Sequence, residues 1–125
     1  MTEFTIHLAN RPGQLAGLAT IMSDGGVNID ALAAFGMEDV GVVRMVVSDA
    51  ESARRVISEA GLVAEERRVL TTVLSHRPGA LAALTESLAA AEINIDGMYV
   101  LHSHDDEIEL AIAVADEDAA RAAIS

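Results

Sequence analysis

Apolar and polar positions alternate from Phe4 through Ile6 to Leu8, with Thr5 and His7 between them, which is the period of a half-buried β-strand. The period then changes. Leu15, Leu18, Ala19 and Met22 follow Pro12 at three- and four-residue steps, predicting a helix with Pro12 in its first turn and Gly25-Gly26 as its stop. Alternation resumes at Val27, Ile29, Ala31 and Ala33 as a second strand, and a turn between Gly36 and Gly41 leads into a hairpin partner through Val43, Met45 and Val47. Ser48 and Glu51 have capping-box spacing, with Ser48 accepting from the Glu51 amide and the Glu51 side chain reaching back. The helix they open turns Ala53, Val56 and Ile57 inward and ends at Gly61, and Leu62 to Glu66 forms a fourth strand.

The same order then repeats. Asn10-Arg11-Pro12-Gly13-Gln14-Leu15 returns as His76-Arg77-Pro78-Gly79-Ala80-Leu81, and Val27-Asn28-Ile29-Asp30 returns as Ile93-Asn94-Ile95-Asp96, so Asn10 and His76 stand as far apart as Asn28 and Asn94. Asp49 to Ser58 matches Asp116 to Ser125 one position further on. The second copy therefore carries one inserted residue between Asp96 and Asp116, expected in the polar turn His102-Ser103-His104-Asp105-Asp106-Glu107, where insertion is best tolerated. Two copies of βαββαβ predict an α+β protein of two ferredoxin-like units, residues 1–67 and 68–125, each an antiparallel sheet with both helices on one face. A unit of this size buries only about 60% of its unfolded surface, which favours packing against another unit or another chain. The second copy stops at Ser125, the equivalent of Ser58, without a counterpart of Leu62 to Glu66, and the expectation is that the natural chain continues.

Composition narrows the partners more than the fold. Apolar residues make up 51% of the 125-residue chain, enough for a core, while 20 acidic residues against 8 basic ones give a formal charge of -12. Every basic residue is an arginine, and the largest clusters are the pairs Arg54/Arg55 and Arg67/Arg68. Such a surface repels phosphate backbones and anionic lipid, so neither nucleic acid nor membrane is an expected partner. The absence of cysteine removes disulfides, thiolate nucleophiles and Cys-bearing zinc sites. With no signal-peptide pattern at the N-terminus, the cytoplasm is the expected location.

The Arg-Pro-Gly turns carry the strongest chemical signal. At each one a strand hands over to a helix whose first amides are unpaired, and those amides with the positive end of the helix dipole favour a carboxylate, while Gly13 or Gly79 lets a ligand approach the backbone. The plainer alternative is that Asn10 caps the helix and the glycine only shapes the turn. Asn28 and Asn94, opening the second strands, are expected near the same end of the sheet as the turns, where an amide suits both α-carboxylate and α-ammonium. An asparagine bridging loops internally is the competing reading. His102 and His104 with Asp105, Asp106 and Glu107 offer metal-ligand chemistry, but one short turn without a rigid partner element reads better as a solvated hairpin tip. No nucleophile or phosphate-binding fingerprint is present, so neither catalysis, a cofactor nor a metal is expected.

On these two landmarks, each occurring twice at matching spacing, the chain resembles a tandem of ACT domains over nearly its whole length. The resemblance implies a stand-alone regulatory protein that binds a small molecule, an amino acid above all, as a homodimer or other homo-oligomer, and controls an enzyme or transcription factor elsewhere. The candidate ligand residues are the two turns, Asn10 to Leu15 and His76 to Leu81, with Asn28, Ile29, Asp30, Asn94, Ile95 and Asp96. In the serine-binding ACT domains of phosphoglycerate dehydrogenase, the matching asparagine positions contact the effector, and they fall here on Asn10 and Asn28. The preceding histidine of that pattern is replaced by Leu8, and in the second copy by Leu74, while His76 and Asn94 stand at the asparagine positions. A more apolar amino acid, or another polar one using His76, fits these replacements. The better site is expected on the Asn10/Asn28 side, completed by a neighbouring ACT unit. The alternative is a dimerisation module that carries no ligand.

Overall fold

The computed structural model describes residues 1–125, which divide into two compact units, Met1–Arg67 and Arg68–Ser125. In the first, β1 (Thr2–Ala9), α1 (Gln14–Asp24), β2 (Ala31–Met37), β3 (Val40–Val47), α2 (Ala50–Glu59) and β4 (Ala64–Arg68) follow in order, with β4 running into the boundary. The sheet order is β2-β3-β1-β4, and β3 runs antiparallel to both β1 and β2, pairing Phe4 with Met45 and Leu32 with Met45. Alternation puts Phe4, Ile6, Val43, Met45 and Val47 on one face, where α1 contributes Leu18 and Met22 and α2 contributes Ala53, Val56 and Ile57 to a single core. Both helices therefore cover the same face.

The second unit repeats the plan with β5 (Leu70–Ser75), α3 (Ala80–Ala90), β6 (Gly97–His104), β7 (Glu107–Ala113) and α4 (Glu117–Ile124). Its sheet has three strands in the order β5-β7-β6, over a core of Leu70, Leu84, Leu88, Leu110, Ile112, Val114 and Ala120. No helix of either unit is long and apolar enough to cross a membrane.

Four sequence expectations need correction. The second strand begins at Ala31 and not at Val27, because Val27 and Ile29 alternate for another reason: they pin the loop into the core, Val27 at 6% exposure, and the first bond toward the sheet is Asp30 N–H to Val46 C=O at 2.9 Å. Pro12 precedes α1 and does not lie in it; Gly13, at φ 88°, is the residue flanking the first turn. Ser48 does not cap α2. Asp49 does, its carboxylate accepting from the Ser52 amide at 3.1 Å; the Ser52 side chain first and this amide second hold the acid below its ordinary range, while the Ser48 hydroxyl donates to Asp30 at 2.8 Å. Asp116 caps α4 in the same way, through the Ala119 amide.

The inserted residue is the fourth correction. It sits in a strand and not in the polar turn: Val100 pairs with Leu110 and His102 with Glu109, leaving Leu101 as a bulge in β6, whereas β2 pairs Ala34 with Val43 and Phe35 with Val42 without interruption. A bulge absorbs one residue by bending its strand, so the core register on both sides survives.

Candidate functional site

Each Arg-Pro-Gly turn lies where the first strand of its unit ends, beside the tip of the β-hairpin. Asn10 N–H donates to Asp39 C=O at 2.9 Å, and His76 N–H donates to Asp106 C=O at 2.6 Å, tying turn to hairpin in both units. Gly13 and Gly79 hold φ values of 88° and 91°, in the left-handed region that a glycine enters without strain. With the chain turned this way, neither α1 nor α3 receives a side-chain cap. Asn10 is therefore not the cap of α1. The first-turn amides of Leu15 and Leu81 donate to no backbone carbonyl, so a positive helix end is left facing outward in each unit.

The surroundings of the two turns differ sharply in size. At the second turn a cleft of about 690 Å³ is walled by Leu74, Met98, Val100, Ile108 and Leu110 and floored by His76 to Leu81. Its mouth is apolar, with Leu81 51% and Val100 55% exposed. Arg77 forms no ion pair, and the His76 side chain forms no hydrogen bond, so both are available to a ligand. The first turn has only about 150 Å³, between Leu8, Asn10, Gln14, Leu15 and the hairpin residues Phe35 and Gly36. There the Asn10 side chain donates a second bond to the hairpin, to Glu38 C=O at 2.8 Å. The larger cleft thus lies at the second turn, whereas the better site is expected from the sequence on the Asn10/Asn28 side, completed by a neighbouring ACT unit.

Asn28 and Asn94 lie elsewhere. Asp30 meets Val46 and Asp96 meets Ala113, at the far end of each sheet from the hairpin tips Glu38-Asp39 and Asp105-Asp106. A strand of this length separates the two ends by about 20 Å at roughly 3.4 Å per residue. The expectation that they share an end with the turns fails because β1 and β2 both run antiparallel to β3, so the start of β2 lies beside the start of β1, not its end. Asn28 donates to Asp30 at 3.2 Å and Asn94 to Asp96 at 2.9 Å, a local bridge at the same place in both units. Ile29 and Ile95 pack partly buried against their cores. The histidines of the polar turn, His102 and His104, stack with ring centroids 6.0 Å apart, and His104 meets Asp105 at 3.2 Å.

The apolar walls of the larger cleft were not among the sequence-derived candidates. Leu74, Leu110 and Ile108 read as core positions of strands, and only the one-residue change in repeat spacing, which places the bulge beside Val100, hints that this copy opens there.

Two antiparallel sheets, each backed by two helices on one face and each with an uncapped helix start at its hairpin end, define a pair of ferredoxin-like units. The chain belongs to the ACT domain pair family, whose pattern it matches over residues 1–124. Among solved structures it is similar to protein BT0572 from Bacteroides thetaiotaomicron, at 23% identity over 98% of this chain and 84% of that one, with a TM-score of 0.87. It is also similar to the ligand-free regulatory subunit of aspartate kinase from Thermus thermophilus, at 17% identity over 98% of this chain and 89% of that one, with a TM-score of 0.69. No curated protein matches it in sequence.

Proposed function

We propose that the chain is a regulatory protein that binds a small-molecule effector, an amino acid with an apolar side chain, and has no catalytic activity of its own. The cleft of about 690 Å³ at the second Arg-Pro-Gly turn carries this reading, since it falls within the usual range of ligand pockets and joins an apolar wall to a positive helix end. The effector's α-carboxylate lies against the amides that follow Gly79, with Arg77 beside it. Its α-ammonium meets backbone carbonyls of the turn, His76 stands beside it, and its side chain lies among Leu74, Val100 and Ile108. Ala80 and Leu81 complete the floor, and Pro78 fixes the turn that presents it.

In the first unit Arg11, Pro12, Gly13, Gln14 and Leu15 form the corresponding turn. Asn28, Ile29, Asp30, Asn94, Ile95 and Asp96 contact such a ligand only as contributions from a second copy of the chain, because within their own unit they stand at the opposite end of the sheet. A homodimer is the assembly this reading favours, acting on a separate enzyme or transcription factor in the cytoplasm. The protein from Thermus thermophilus that shares the fold is, by its own description, the regulatory subunit of an enzyme, aspartate kinase.

Thermal shift against each of the twenty amino acids tests the reading. An effector at a hundredfold its dissociation constant stabilises the protein by about 2.7 kcal/mol, several degrees for a chain of this size. Arg77→Ala lowers the shift produced by that amino acid. Flat melting curves with all twenty would overturn the proposal and leave an interaction module without a ligand.

A further inference from the structure

The difference between the two turns leads to a second step, which rests on the reading of the clefts as effector sites. We infer that Asn10 and Gly36 form a latch that holds the first unit's cleft shut, so that each chain takes one effector, in the second unit.

The latch is built from three observations. Asn10 is bonded to both residues of the hairpin turn, through its backbone N–H to Asp39 and its side-chain amide to Glu38. Its amide group lies flat on Gly36, so closely that a Cβ at position 36 would stand 2.5 Å from Nδ2 and 2.8 Å from Oδ1. The space that remains, about 150 Å³, is below the roughly 300 Å³ at which ligand pockets begin. Only a glycine at 36 permits this arrangement.

The second unit lacks both halves. Counting through the Leu101 bulge, Ser103 stands where Gly36 stands, pairing with Ile108 as Gly36 pairs with Gly41. The serine Cβ occupies the place that the Asn10 amide needs, and the residue at the asparagine position is His76, whose side chain makes no bond to the hairpin. The backbone tie to Asp106 is kept, so the turn stays in place while the cleft stays open. One unit has the pair asparagine and glycine with a closed cleft, and the other has histidine and serine with an open one. The atoms that a Cβ at position 36 would meet are the far end of a flexible side chain, so displacing the latch requires a rotation of Asn10 and no movement of the backbone.

Exchange of the pairs tests this, with isothermal titration of the full chain by whichever of the twenty amino acids gives the largest thermal shift. Wild type binds one molecule per chain. The double variant Asn10→His with Gly36→Ser opens the first cleft and raises the stoichiometry to two. The reciprocal variant, His76→Asn with Ser103→Gly, installs the latch in the second unit and weakens binding by at least about tenfold, with circular dichroism and melting showing that the fold is kept; should that variant unfold, the first pair decides alone. Two molecules bound per wild-type chain, a stoichiometry of one in the opened variant, or unchanged affinity in a folded latched variant each overturns the latch while leaving the effector reading intact. No binding by any of the twenty overturns the effector reading and the latch with it.

Discussion

The cores of the two units correspond position by position: Met22 answers to Leu88, Val43 to Leu110, Met45 to Ile112, Val47 to Val114 and Ala53 to Ala120. Their hairpin ends do not. One has Asn10 folded over Gly36 beside Phe35, and the other has His76, Ser103 and a bulge at Leu101 beside a cleft more than four times larger, 690 Å³ against 150 Å³. The difference shows that the sheet and its helices determine where a pocket lies, while a few side chains at the strand ends determine whether it is open. Burial favours the same volumes twice, but nothing in the core constrains the turn.

If the cores are equivalent, the same deletion costs each unit the same. Met22 is 0% and Leu88 1% exposed, on matching turns of α1 and α3. Met22→Ala and Leu88→Ala are each expected to destabilise by about 3 kcal/mol, the usual cost of emptying a filled apolar site. Urea denaturation measures both. A cost below about 1 kcal/mol at either site would show one core to be loosely packed and break the equivalence.

The next largest effect concerns a position that the units fill differently. Glu3 is 1% exposed and pairs with Arg67 at 2.9 Å, and the matching residue of the second unit is buried Val69. Arg67→Ala removes the guanidinium and is expected to cost about 2 kcal/mol, less than the roughly 3–5 of a fully buried pair because water reaches the arginine. Making Glu3→Val together with Arg67→Ala copies the second unit and is expected to recover most of that loss, since an apolar replacement of an ion pair is often neutral. Equal losses in the single and double variants would show that the carboxylate was not the burdened group.

The pairing of landmarks made the repeat, the order of elements and the Arg-Pro-Gly turns legible in the sequence, because turn chemistry is local and the period of burial is regular. The failures share one cause: each depended on where strands lie against one another. Val27 and Ile29 alternate as a strand does but plug a core, and only the partners of Val46 show that β2 starts at Ala31. Asn28, expected at the end of the sheet that holds the Arg-Pro-Gly turn, lies at the other end, because chain order does not state that β1 and β2 run the same way. The inserted residue is expected in the polar turn but lies in the strand at Leu101, because a bulge and a longer loop leave the same spacing in the sequence. Ser48 lost its role as cap to Asp49 because Asp30, eighteen positions away, takes its hydroxyl.

The helix ends offer a smaller contrast. Both α1 and α3 close with a six-to-one bond, from Val27 N–H to Met22 C=O and from Ile93 N–H to Leu88 C=O, which needs one residue in the left-handed region. The first unit places Gly26 there at φ 74°, and the second places Glu92 at φ 59°. Glu92→Gly is expected to stabilise by about 0.5–1 kcal/mol and Gly26→Ala to destabilise by about 1 kcal/mol. Opposite signs in thermal melts make the second unit the strained one at this site; a loss in both variants would mean that the Glu92 side chain contributes more than its backbone costs.

The smallest effect is electrostatic and confined to the first unit. Arg54 on α2 grips Glu66 on β4 through its Nε and Nη2, at 2.9 and 2.8 Å, whereas Arg121, the matching residue of α4, pairs within its own helix with Glu117. The hydrogen bonds from Arg54 hold the Glu66 carboxyl below its ordinary value of 4.5, with the guanidinium charge adding to them against the opposing effect of burial. A carboxyl that ionises more readily folded than unfolded stabilises the folded state above its unfolded pKa, and that contribution is lost as pH falls through the folded value. Wild type is therefore expected to lose stability faster than Glu66→Gln on going from about pH 7 to about pH 3, with the gap narrowing further in salt because both side chains face water. Parallel pH profiles for the two proteins would show that the strand β4 is held by its backbone bonds alone.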